Sequence, residues 1–379
     1  AGGGSTAWEV SAVGFDGRFA YVVGRVRALE NRMIDQARFS RMIDAEGPEE
    51  LARILSETEY SLSRDLGPTQ YEEIIDGELT RVHSLIEGIS PDPVLTGVFR
   101  ARHDFHNMKA HLKARLARRD RGVVVEEGSG VTRLGTLDPH RLAAIADALI
   151  PVGYDDQAEC DLELMQEPER ERLSTRQSAD DLEGAVAEAA RRAVSAYEAN
   201  GRDPQYADLV LDKESFDYFY HVARSRHADF LMGLVQTMAD LTNILICMRL
   251  RLIGKPAGFA RDALLPRGSL DTEELLAVYS EPDDAFWSFF KRTRYDRLVE
   301  EALAAWRDRG SLTAFERVVQ AGLAREAAVG GMVDMGYEPV LAYLMAREGE
   351  ADMLRRIFVG KTNRLPAEVI RERLCGVYA

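Results

Sequence analysis

Histidines are the first residues in this chain whose types and spacing suggest chemistry. They cluster in the stretch Arg102-His-Asp-Phe-His106, and His111 follows shortly after. His103 and His106 share one helix face, where Asp104 could complete a metal site. The surroundings are basic and no further ligand is evident, so we predict no metal site. A helical metalloenzyme that uses His103 and His106 stays open as an alternative.

A second candidate is Gly360-Lys361-Thr362, which resembles the end of a phosphate-binding loop. Such a loop also needs a glycine at position 355, where this chain has arginine. No Gly-x-Ser-x-Gly elbow and no cysteine–histidine signature is present. We therefore predict no catalytic residue, no cofactor and no direct nucleotide binding.

A third pattern is Asp-x-x-Asn, found at Asp104–Asn107 and again at Asp240–Asn243. Residues three apart lie on the same face of a helix. Each pair can therefore hydrogen-bond a neighbouring helix or loop end and fix its register. Glu350, with Met353 in the place of the asparagine, marks a weaker third copy. We predict that these residues are contacts of a repeated helical unit; simple surface polarity is the alternative.

Paired motifs support an internal repeat. Gly135-Thr-Leu-Asp138 resembles Gly268-Ser-Leu-Asp271 at an offset of 133 residues, close to the 136 that separate Asp104 from Asp240. Leu365-Pro366 followed by Ile370 continues the third copy. These offsets predict three helical repeats at 19–130, 131–265 and 266–379. Residues 1–18 are interpreted as an N-terminal tail, whose glycine-rich start is partly a cloning remnant.

The elements that must position these residues are helices. Apolar residues recur at steps of three and four, most clearly in one stripe that runs from Leu231 to Leu252. Further helices fit several ranges, among them 20–45 and 284–306. Only Val123-Val-Val125 looks like a strand, and it is too short to carry a sheet. The sequence therefore predicts an all-α fold.

Composition argues against nucleic-acid-binding, disulfide-linked and membrane-spanning proteins. The chain has 48 basic and 63 acidic residues and a net charge of −15, which argues against general nucleic-acid binding. The three cysteines, Cys160, Cys247 and Cys375, are far apart and predict free thiols in a cytosolic protein. Charges interrupt the most apolar stretch, 230–253, so we predict no transmembrane span.

Charge is unevenly distributed along the chain. Residues 100–121 contain eight basic and two acidic residues, whereas residues 155–183 contain eleven acidic and three basic ones. A solvated face explains each run. The alternative is a patch that selects a partner of opposite charge, with Arg115, Arg118 and Arg119 as the candidate contacts.

Several of these stretches resemble the C subunit of V/A-type rotary ATPases, which is called the d subunit in eukaryotes. The resemblance rests on 104–115 and 239–243, on Tyr21-Val-Val-Gly-Arg-Val-Arg27, and above all on the C-terminal runs 343–348, 355–361 and 370–374. It covers roughly residues 19–375. Met353 departs from the family pattern, where a polar residue is expected.

The resemblance implies a funnel of three helical units around a pseudo-threefold axis. Such a protein is a non-catalytic central-stalk subunit on the cytoplasmic face of the membrane. It connects the proteolipid rotor ring to the axle subunits of D and F type and transmits torque between them. A free-standing helical adaptor is the competing interpretation, although the offset of about 135 residues is too long for an ordinary solenoid.

Overall fold

A computed structural model describes residues 17–62, 70–126, 128–151, 181–310 and 312–374. Those residues form seventeen α-helices and contain no strand. In chain order the helices are α1 (Ala20–Glu30), α2 (Gln36–Asp44), α3 (Pro48–Leu55), α4 (Tyr71–Ile89), α5 (Pro93–Thr96), α6 (Ala101–Arg121), α7 (Pro139–Leu149), α8 (Leu182–Ala199), α9 (Pro204–Ser225), α10 (Asp229–Leu252), α11 (Ala257–Ala263), α12 (Thr272–Tyr279), α13 (Asp283–Phe289), α14 (Asp296–Arg309), α15 (Leu312–Gly331), α16 (Glu338–Thr362) and α17 (Ala367–Leu374).

The predicted all-α fold is thus confirmed, and aspartate side chains cap several of its helices. The carboxylate of Asp138 accepts a hydrogen bond from the amide of His140 at the start of α7. That of Asp271 accepts from the amides of Glu273 and Glu274 at the start of α12. Such side chains satisfy amides that the first turn of a helix leaves without a backbone partner.

Two ranges that were predicted as single helices are each divided into separate helices in the structure, so these two predictions are wrong. The range 20–45 is split by a turn between α1 and α2, where Asp35 caps α2 by accepting from the amide of Arg38. The range 284–306 is split at Thr293, because Phe290–Arg292 forms a short 3₁₀-helix and α14 begins only at Asp296. Apolar spacing continues across both breaks, so periodicity alone did not reveal them.

The described chain divides into two compact units. The first contains the described residues of 17–96 and 324–370, so it is assembled from both ends of the described chain. Its α16 packs on α1 and α4, and the ring of Tyr71 stacks on that of Phe358 at 4.7 Å. The three repeat ranges 19–130, 131–265 and 266–379 remain a prediction.

The second unit contains the described residues of 97–323 and the end of α17. Within it α6 and α9 are antiparallel, because Phe105 lies against Tyr218 while Lys113 pairs with Asp208. Since α9 and α10 are joined by a three-residue turn and pack together, α6 and α10 point the same way. These two helices carry the Asp-x-x-Asn pairs.

Among the described residues, α10 alone is long and apolar enough to cross a membrane. Twelve of its 24 residues are buried inside the unit, and Asp240 and Asn243 are among them. Its apolar side packs against α9, α11 and the aromatic cluster around Phe286 and Phe290. The helix therefore reads as the core helix of a folded unit, since such helices are also long and apolar.

Candidate functional site

Asp104 on α6 holds a neighbouring loop through its carboxylate. It is fully buried and accepts hydrogen bonds from the amides of Thr136 and Leu137 at 2.9 Å each. One helical turn further on, the amide group of Asn107 bonds to both backbone groups of Thr132, at 2.8 and 2.9 Å. The loop before α7 is thus fastened to α6 at two points.

Asp240 on α10 makes the same kind of contact with the loop before α12. Its carboxylate accepts from the amides of Ser269 and Leu270, each at 3.0 Å, and from the hydroxyl of Tyr295 at 2.8 Å. Asn243 bonds to both backbone groups of Leu265, at 2.7 and 3.0 Å. Both side chains of the pair are fully buried.

Glu350 on α16 binds a loop in the first unit. Its carboxylate accepts from the amide of Ile34 at 2.6 Å and from the hydroxyl of Tyr60 at 3.0 Å. The sequence pointed to residues 365–370 as the continuation of the third copy, but the loop that Glu350 holds comes from the other end of the described chain. Met353 is buried and offers no amide, so this loop lacks the second fastening.

The three bound loops share one feature. In each, a residue that donates its amide to the carboxylate directly precedes an aspartate that caps a short helix. The donor–cap pairs are Ile34–Asp35, Leu137–Asp138 and Leu270–Asp271. We call each arrangement of helix carboxylate, donor amide and capping aspartate a loop clamp. Each clamp fixes where a short helix begins relative to a long one.

The repeated glycine in the sequence motif has a steric reason. A side chain at Gly268 would run into the carboxylate of Asp240, and one at Gly135 would run into that of Asp104. The backbone must pass this close for the next amides to reach the carboxylate. The glycines are therefore part of the first two clamps.

Burial sets the electrostatics of the clamps. It raises the pKa of Asp104 to about 6, although the amides of Thr136 and Leu137 and the charge of Arg100 act to lower it. Burial also raises the pKa of Glu350, against the lowering effects of Arg347, the Ile34 amide and Tyr60. A buried carboxylate is costly unless hydrogen bonds or opposite charges compensate it, and the first and third clamps supply both.

The third clamp belongs to a buried charge cluster that sequence reasoning missed. Arg347 lies between Glu350 and Glu78, with its Nη2 atom 2.6 Å from Glu78 Oε1. Arg81 binds the same Glu78 carboxylate through two nitrogens, at 2.7 and 2.8 Å. Arg347 and Glu78 are 269 residues apart, so no local pattern could have predicted the pair.

The predicted contact patch on α6 is largely engaged within its own unit. Arg115 pairs with Asp147, and Arg119 pairs with Asp120 and Glu198. Arg118 is exposed. Neighbouring lysines of α6 pair with acidic residues of α9, so packing between helices explains most of the basic run.

The other chemical candidates lie apart from one another. Asp104 faces its loop, His106 contacts the carbonyl of Gly130 at 3.0 Å, and His103 contacts Arg102 near the surface. Among the described residues, no group of three or more His, Cys, Asp or Glu side chains is placed to hold a metal ion. Gly360 to Thr362 form the last turn of α16.

Comparison with known proteins adds the decisive observation. The family model described as "ATP synthase (C/AC39) subunit" matches residues 22–373. The chain belongs to this family. The predicted resemblance is thereby confirmed, and the match includes all three clamps.

Individual relatives agree with the family match. The chain is 23% identical to the C subunit of the V-type sodium ATPase of Enterococcus hirae, over 93% of this chain and 97% of that protein. It is also 23% identical to the C subunit of the A-type ATP synthase of Methanocaldococcus jannaschii, over 94% of this chain and 86% of that protein. A third relative, the corresponding A-type ATP synthase protein of Methanothermobacter thermautotrophicus, is 24% identical over 94% of this chain and 87% of its own length.

Proposed function

We propose that this chain is a non-catalytic central-stalk subunit of a V/A-type rotary ATPase or ATP synthase. In this role it lies at the cytoplasmic face of the membrane, connects the proteolipid rotor ring to the D- and F-type axle subunits, and transmits torque between them. Family membership over nearly the whole chain supports assembly into such a complex. The three helical repeats and their pseudo-threefold funnel belong to this proposal.

The observation that carries the proposal is the loop clamp. A torque coupler must resist bending between its partner sites. In this chain, buried carboxylates on three helices of 21 to 25 residues fasten the starts of α2, α7 and α12. Such helices span roughly 30 Å or more, and buried hydrogen bonds between a helix carboxylate and a loop hold the two in a fixed arrangement. Three recurrences of one clamp also support the three-unit architecture.

The experiment that tests this role is reconstitution of the parent complex with and without this chain. ATP hydrolysis and ion pumping are measured on the same vesicles. We expect hydrolysis to continue without the chain while pumping is lost, and both to be coupled again when purified chain is added back. Full coupling in its absence would contradict the proposal.

A free-standing helical adaptor is the second candidate, favoured by the all-helical architecture of the described residues. A pull-down from detergent-solubilised membranes separates the two. Recovery of a proteolipid ring and a coiled-coil axle supports the rotary role, and recovery of neither supports the adaptor.

A further inference from the structure

Four exposed basic residues lie within seven positions at the start of α14. Lys291 and Arg292 end the 3₁₀-helix, Arg294 lies in the following loop, and Arg297 is in the first turn of α14. The only acidic residue among them is Asp296. We call Lys291, Arg292, Arg294 and Arg297 the basic corner.

Three members of the corner have no carboxylate partner among the described residues, in contrast with the denser basic run on α6. Within the described chain, Lys291, Arg292 and Arg297 have no carboxylate within ion-pairing distance. Asp271 and Glu274 line the same 370 Å³ cavity as Arg292 and Arg294, yet neither pairs with Arg292. These three cations lie within seven positions of a chain with 15 excess negative charges, and they are exposed to a partner outside the described residues.

The helix behind the corner makes this placement more costly. The N-terminal end of a helix carries partial positive charge, so cations there are electrostatically disfavoured. Arg297 lies in the first turn of α14, whereas Lys291 and Arg292 end the preceding 3₁₀-helix, so the repulsion applies to Arg297. An external negative surface would relieve this repulsion.

The corner is also held rigidly. Tyr295, at its centre, is buried and donates its hydroxyl to Asp240 of the second clamp at 2.8 Å. The guanidinium of Arg294 bonds to the hydroxyl of Thr237 on α10. Thr293 bonds to the carbonyl of Phe290 at 2.8 Å and accepts from the amide of Tyr295. A rigid loop loses little conformational freedom when a partner binds.

We propose that the basic corner is a docking surface for an acidic protein surface, a cluster of Asp and Glu side chains on another subunit of the parent complex. This inference rests on the proposed function. A protein partner fits better than an anionic membrane, because a local cluster of Asp and Glu side chains can face the cations alone. An extended lipid sheet would also face the carboxylates of Asp271, Glu274 and Asp296 beside them.

The test uses the full chain and a parent complex that lacks it. The variant Lys291→Gln/Arg292→Gln/Arg297→Gln removes three charges from the corner. The matched control, Arg121→Gln/Arg133→Gln/Arg224→Gln, removes three exposed cations from other parts of the same unit. Melting curves check that both variants fold. Binding of each chain to the immobilised complex is then measured over a series of salt concentrations.

We expect the corner variant to bind about tenfold more weakly at low salt, with a shallower salt dependence, and the control to stay within about twofold of wild type. Two results would overturn this inference and leave the proposed function intact. In the first, the corner variant binds the complex as well as wild type does. In the second, the corner variant and the control lose affinity equally. Corner-dependent binding to phosphatidylserine vesicles, in place of the complex, would also overturn it. Failure of wild-type chain to bind the complex would instead overturn the proposed function, and this inference with it.

Discussion

At the scale of single residues, the loop clamps show how a buried carboxylate can be made structural. Asp104, Asp240 and Glu350 have no exposed surface, and each accepts backbone amides of a loop. Removing such an acceptor leaves buried donors without partners, which costs more than the bond itself contributes. The clamps should therefore dominate the response of each unit to point mutation.

The first residue-scale prediction concerns the glycine beside Asp240. Replacing Gly268 with Ala should destabilise the protein by about 2 kcal/mol, because a Cβ atom would displace the carboxylate from its amides. The matched control is Gly233→Ala on α10, where a Cβ atom meets no neighbour and should stabilise by about 0.5–1 kcal/mol. Urea unfolding measures both. Equal effects of the two changes would contradict the steric explanation.

The second residue-scale prediction is a pH dependence. The pKa of Asp104 is about 6 in the folded protein, against an ordinary value of 3.8. The folded state therefore takes up this proton first as the pH falls, so Asp104 favours folding increasingly from about pH 6 down to about pH 4. Relative to Asp104→Asn, the wild type should gain about 1.4 kcal/mol of stability per pH unit in this window.

The difference between the two proteins is the quantity to measure, because the other carboxylates titrate in both and cancel. Unfolding free energies at closely spaced pH values from 7 to 4 give it directly. A difference that is constant with pH, or one that changes in the opposite direction, would show that Asp104 is not held at a raised pKa.

At the scale of elements, sequence and structure agree unevenly. Helical spacing predicted the all-α fold and α10, because this signal is local. The contact between Asp104 and Leu137 could have been predicted, because the Asp-x-x-Asn pair and the glycine motif recur at nearly the same offset. The joining of Glu350 to Ile34 could not, because the two residues are 316 positions apart. The charge density of α6 could not show that Arg115 and Arg119 pair with acidic residues of their own unit.

An element-scale prediction follows from the seam between the two chain segments of the first unit. Arg347→Met should cost about 3–5 kcal/mol, because it leaves Glu78 and Glu350 buried with less compensation. Arg356→Met is the control on the same helix. Its ion pair with Asp352 is near the surface, so its loss should cost at most about 1 kcal/mol.

Amide hydrogen exchange shows where the Arg347 substitution acts. We expect exchange to rise at α16 and around Ile34, and to stay unchanged at α10, which belongs to the other unit. An equal rise in amide exchange throughout the chain would indicate that the charge cluster around Arg347 does not stabilise the first unit locally.

At the scale of the whole molecule, the second clamp connects the proposed partner contact to a long core helix. The clamps fix short helices on long ones, and the second clamp also anchors the basic corner through Tyr295. A force applied at the corner would therefore pass directly into α10. This link between an exposed charged loop and a buried core helix is what a coupling subunit requires.

The central claim is that this chain turns with the rotor. Its most direct test is single-molecule rotation of the reconstituted complex, immobilised through its catalytic sector. A bead is attached to a cysteine introduced at the exposed Ser84 of α4, which belongs to the unit without the basic corner, after Cys160 and Cys375 are replaced by serine. On addition of ATP we predict that the bead rotates in one direction. A stationary bead during continued ATP hydrolysis would contradict the claim.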